Sequence, residues 1–286
     1  MNSRLIRDIS IKKHVQQKMK NTLITVVALL IFISTWSCEK GEYTLPADFR
    51  LGMSISDKQA MGGALTIDLI KIKLNAIDIQ GYRETGGNVF LTRSFKKGQT
   101  FTIRANAKNE ILNFDIPQGV YKPLYFSLVF QHDDDEDDLI EDIEEWYEDV
   151  LEGDDPEELE EDLGSIIEDY LDDIEPSILV QGRFKSNKIN VRLILLVNDP
   201  MTFRILLKNR SGQEEVILEK DRENTAELIL DPSYWFSVIT PELMNRAYLG
   251  REDGITYLFL SKYVNSNIYH AVFNRMEEST YIIVNK

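Results

Sequence analysis

From Ala64 to Ile79 the chain reads A-L-T-I-D-L-I-K-I-K-L-N-A-I-D-I, with apolar and polar side chains alternating over most of its length. Successive side chains of a strand point to opposite faces, so this period of two makes one buried face and one wet face. A helix cannot use such a pattern. Further strand candidates follow at Asn88–Thr92, Phe101–Arg104, Ile111–Ile116, Leu124–Phe130, Ser177–Phe184, Ile189–Val197, Phe203–Lys208, Glu215–Leu218 and Leu228–Leu230. Weaker ones lie at Leu258–Ser261 and Tyr281–Val284. Strands at this spacing predict a mainly β fold over 63–286, a β-sandwich rather than a βαβ array. Short helices or turns are expected at Pro232–Val238 with Asp231 as cap, at Pro241–Tyr248 with Thr240 as cap, and at Tyr269–Met276.

One segment breaks the β pattern. From Asp133 to Glu175 there are 25 acidic residues and no Lys or Arg, in a chain whose formal charge is −16. Leu139, Ile143, Trp146 and Val150 recur at helical spacing, and so do Leu159, Leu163, Ile167 and Ile174. Gly153-Asp154-Asp155-Pro156 between them reads as a helix stop followed by a capped start. The expectation is an acidic α-helical hairpin at about 132–176, inserted between two strands that close on each other as a hairpin. Asp133, Asp135 and Asp137 are candidates for weak cation binding. The run is no EF-hand, because Asp138 stands where the loop needs Gly.

Little else suggests chemistry. One Cys excludes an intrachain disulfide, and the three His, His14, His132 and His270, fall in no HExxH pattern. GxSxG, P-loop and GxGxxG fingerprints are absent, and no cofactor is expected. The net acidity excludes sequence-independent nucleic-acid binding, which needs a basic face. Tyr234 and Trp235 form the densest aromatic cluster with Phe236, a candidate sugar platform or a wedge closing the sandwich.

The N-terminus carries an address. Leu23–Ile33 is an apolar run of eleven residues, too short for a bilayer that takes about 20. It matches a signal-peptide h-region behind Lys20, giving a signal segment over 1–37 in which Met19 is an alternative start. Ser34-Thr35-Trp36-Ser37-Cys38 then resembles a bacterial lipoprotein signal, which implies a diacylglyceryl group on Cys38 as the membrane attachment. Thr35 and Trp36 depart from the usual pattern. Residues 38–62 are expected as a polar tether, and Glu39-Lys40-Gly41-Glu42 resembles a surface-export signal of Bacteroidota-type lipoproteins.

Phe114-Asp115-Ile116-Pro117-Gln118-Gly119-Val120-Tyr121, followed by Leu124–Leu128, resembles the strand-turn-strand of DUF4382-like lipoproteins. Leu230–Phe236 has a similar look. The resemblance implies a transthyretin-like or Ig-like sandwich in the cell envelope at the outer membrane, and it carries over no site residue. The expected function is a lipid-anchored binding or structural module with an envelope protein or glycan as partner. The alternative is an envelope glycan hydrolase using paired carboxylates.

Overall fold

The computed structural model describes residues 45–107, 109, 111–131, 137–153, 155–173, 176–186 and 189–285. The stretch 1–37 expected as a signal segment, and Cys38, lie outside them. Strand accounts for 52% and helix for 22%, so the fold is mainly β. The strands are β1 (Pro46–Ile55), β2 (Leu65–Arg83), β3 (Val89–Arg104), β4 (Ile111–Pro117), β5 (Gly119–Phe130), β6 (Ile178–Ser186), β7 (Ile189–Val197), β8 (Thr202–Asn209), β9 (Val216–Leu218), β10 (Asn224–Leu230), β11 (Gly250–Glu252), β12 (Ile255–Leu260) and β13 (Tyr281–Asn285).

The alternating stretch becomes the spine. β2 has 19 residues, and β3 runs antiparallel along one of its edges. Two strands share the other edge end to end: β5 pairs with Leu74–Arg83 and β6 with Leu65–Ile72. At the join, Lys73 accepts from the Gln131 N–H at 2.8 Å and donates its own N–H to Ser177 O at 2.9 Å. The Ser177 hydroxyl also donates to Gln131 O. The flanking strands therefore do not close as a hairpin, which corrects the expectation from sequence. They run in the same direction and split one strand position between them.

From β5 the sheet continues through β8, β13, β10, β1 and β4; from β6 it continues through β7, β12 and β11. It curls strongly. Phe49 of β1 and Phe114 of β4 reach Phe126 of β5, with ring centroids 5.5 and 5.8 Å apart. β3 and β4 share no ladder across the closing gap. Arg93 spans it: its Nη1 donates to Asn113 O, and its guanidinium lies 5.6 Å from the Phe95 ring and 5.5 Å from the Phe114 ring. Three pairs are parallel, β1 with β10, β12 with β7 and β13 with β8, so the sheet is mixed.

Three expectations change. Residues 46–55 are no tether: β1 lies between β10 and β4, with Ala47, Phe49, Leu51 and Met53 buried. The two short candidates at 88–92 and 101–104 are one strand, β3, whose register with β2 breaks between Ser94 and Gln99. Asp231 does not cap the following helix with its side chain. Its carboxylate accepts from Lys58 Nζ at 2.7 Å and from the Ser233 hydroxyl. Thr240 does cap, its hydroxyl oxygen accepting from Leu243 N at 3.2 Å.

Candidate functional site

Two helices lie against the outer face of β6, β7 and β12. In α1 (Asp137–Glu152) and α2 (Pro156–Asp173) the apolar positions fall on one side of each helix, as their spacing requires. Gly153 adopts a positive φ of 85° at the end of α1, and the Asp155 carboxylate accepts from Glu157 N at 2.9 Å at the start of α2. Ile143 and Trp146 from α1 and Leu163 and Ile167 from α2 pack on Leu179, Ile194, Leu196, Tyr257 and Phe259. Trp146 Nε1 donates to Leu159 O at 3.0 Å, which ties the helices together. β7 is thus buried on both faces, and this explains its unbroken run Leu193–Val197.

Gly164 makes the close approach. A Cβ at that position would stand 2.3 Å from Arg251 O, so only glycine lets α2 lie on β11. The Arg251 guanidinium bonds Glu160 at 2.9 Å beside this contact.

Where the apolar contact ends, a cleft of about 370 Å³ opens between α2 and the sheet, lined by Lys71, Glu168, Leu179, Gln181, Arg192, Ile194 and Tyr257. Lys71 comes from β2, Leu179 and Gln181 from β6, Arg192 and Ile194 from β7, and Tyr257 from β12. The register puts Arg192 beside Tyr257, whose hydroxyl donates to Glu168 Oε1 at 3.3 Å. The Arg192 guanidinium lies 5.8 Å from the Tyr257 ring centre. Among the described residues neither Lys71 nor Arg192 has an ion-pair partner. Two cations without an ion-pair partner among the described residues, an amide and a phenol, against one carboxylate, form a surface suited to an anionic group.

The residues named from sequence lie elsewhere. Asp133 and Asp135 fall outside the described residues, and Asp137 is described only as the first residue of α1. Among the described residues no group of three or more His, Cys, Asp or Glu could hold a metal ion. Trp235 is buried in the core at the end of α3 (Pro232–Trp235), so its ring is closed to a sugar. Tyr234 is part-exposed, but Arg275 covers its ring at 4.3 Å and its hydroxyl donates to Glu278 at 3.2 Å. The two rings are thus separated, Trp235 in the core and Tyr234 at the surface beside Arg275. His270 sits on α4 (Ser266–Phe273), its ring against Tyr269.

None of the cleft residues was named from sequence. The only available signal was Lys71, Gln181 and Arg192 at polar positions of apolar strands, which any wet sheet face would share. No helix among the described residues is long and apolar enough to cross a membrane. No family model, no curated protein and no solved structure matches this chain.

Proposed function

We propose that the chain is a lipid-anchored cell-envelope protein acting as a binding module, held to the membrane by a diacylglyceryl group on Cys38. The observation that carries this reading is the place of that residue. It is the only Cys, it follows the apolar run Leu23–Ile33, and it stands eight residues ahead of Pro46, where the sheet begins. Two acyl chains, each methylene contributing about 0.8 kcal/mol, suffice for stable attachment.

The cleft is the recognition site in this reading. Lys71 and Arg192 would pair with an acidic group of an envelope glycan or protein, while Gln181 and Tyr257 orient it. A paired-carboxylate hydrolase would need a second carboxylate facing Glu168, and the described lining residues supply cations instead. The Phe49 and Phe114 contacts with Phe126 support taking the curled sheet as a sandwich. The shared position opposite Lys73 supports taking 132–176 as an insertion.

Radiolabelled palmitate tests the anchor. It should label the wild-type chain and be lost in Cys38→Ala; label that survives this change overturns the proposal.

A further inference from the structure

The end of the body where β1 starts also carries its most exposed aromatic side chain. Pro46 pairs with Pro117. The next residue, Gln118, accepts from Arg83 Nη1 at 3.0 Å. Arg83 also donates from Nε to Gly87 O at 2.7 Å and from Nη2 to Gly86 O at 2.5 Å. These bonds tie the entry of β1, the β4–β5 turn and the β2–β3 turn into one rim. On it Tyr82 and Phe90 stand edge to face, their centroids 6.1 Å apart and their planes at 87°. Phe90 is 63% exposed, more than any other large apolar side chain described, and Tyr82 beside it is exposed too. The neighbouring charges are paired, with Lys122 on Glu84 at 3.3 Å and on Glu215 at 2.5 Å.

The opposite end has the reverse character. Thr66 pairs with Arg183, Arg183 with Arg192, and Arg192 with Tyr257, which adjoins β11 and the α2 contact at Arg251. Lys71, which lines the cleft with Glu168 of α2, is eleven residues from Tyr82 on β2, roughly 36 Å along the strand at about 3.3 Å per residue. The acidic helices therefore dock far from the aromatic rim. Cys38, by contrast, is eight residues from Pro46, a reach of at most about 29 Å for extended chain.

We propose that the Tyr82–Phe90 rim is a second membrane contact. Resting on the Cys38 anchor reading, it seats in the interfacial layer of the same bilayer and orients the body with its acidic helices away from the lipid. Aromatic rings favour the boundary between headgroups and acyl chains. A dense block of carboxylates is repelled by anionic headgroups within a screening length of about 8 Å, so the far end is where it costs least. The cleft beside α2 then faces away from the lipid.

The test uses the full chain in vesicles of phosphatidylethanolamine and phosphatidylglycerol, with and without bromine on the acyl chains, which quenches only indoles that reach the bilayer. The variants are Phe90→Trp and Ile255→Trp, the second at an exposed position of the far end. Each is assayed in parallel for palmitate. Bromolipid should remove most of the emission that Phe90→Trp gains over the wild type, whose Trp36 stands beside Cys38 in the chain, and should remove none of the emission that Ile255→Trp gains. Palmitate present with no quenching in Phe90→Trp, or with equal quenching at both positions, overturns the second contact and leaves the anchor standing. Absence of palmitate overturns the anchor, and the rim proposal with it.

Discussion

Gln131 and Ser177 lie 46 positions apart in the chain, yet both stand opposite Lys73, one donating to its carbonyl and the other accepting its N–H. Leu74 pairs with Phe130 and Ile72 with Ile178, so the register on one side of the excursion continues on the other without a slip. In a sheet a slip of one residue would turn every side chain to the wrong face. The excursion leaves each pleat where it was.

Removing residues 131–176, so that Phe130 joins Ser177, should leave one continuous strand against β2. Far-UV circular dichroism should keep its β signature. The deletion also uncovers Leu179, Ile194, Leu196 and Phe259, a patch that water-exposed sheets rarely carry. The product should bind a hydrophobic dye and elute from a sizing column as larger species. A chain that loses its β signature would make the helices part of the core.

Gly164→Ala should separate the helices from the sheet without touching the main core. The new methyl would meet the Arg251 carbonyl at 2.3 Å, and relieving an overlap of this kind costs about 1–3 kcal/mol. Trp146 emission should move to the red and the melting temperature should fall. An unchanged emission maximum would show that α2 does not rest on β11.

Acid should weaken the Lys58–Asp231 contact. Burial pushes the Asp231 carboxyl up, but hydrogen bonds from Lys58 and Ser233 outweigh it, so its pKa lies below the ordinary 3.8. A lowered folded value means the stabilisation is complete above the ordinary value and fades as pH falls through the lowered one. In melts below about pH 4, Asp231→Asn should show a shallower acid limb than the wild type. Parallel limbs would assign the acid loss to other groups.

Alkali should act through Tyr121. Its hydroxyl donates to Pro117 O, and burial pushes its pKa from 10.0 up to about 12, against a smaller downward pull from Arg83. A raised folded value means the contribution is whole below pH 10 and is lost as pH rises through 12. Tyrosinate absorbance should show a phenol titrating near 12, and Tyr121→Phe should remove that step. If the late step persists, it belongs to another tyrosine.

The local period of the sequence made most strands legible and left their partners hidden. Ala64–Ile79 announced β2 because alternation is a property of consecutive residues. β1 alternates just as well, with Ala47, Phe49, Leu51 and Met53 inward, but its position behind a charged, signal-like stretch drew it into a tether. The parallel pairs and the shared edge of β2 join residues far apart in the chain, where no short pattern can record them. The cleft is hidden for the same reason. Lys71, Glu168, Gln181, Arg192 and Tyr257 come from five elements and meet only through register. Trp235 was legible as an aromatic with two readings, an exposed platform or a buried wedge, because its depth depends on what folds over it.

Arg93 gives the curled sheet a clasp. Elsewhere along the curl, parting two strands means breaking a row of backbone bonds together; between β3 and β4, among the described residues, the Arg93 guanidinium crosses to Asn113 O and the Phe114 ring. Amide protons of β4 should therefore exchange with solvent through brief unlatching at this line, before the ladder between β1 and β10 yields any of its own. The fold breathes from its seam.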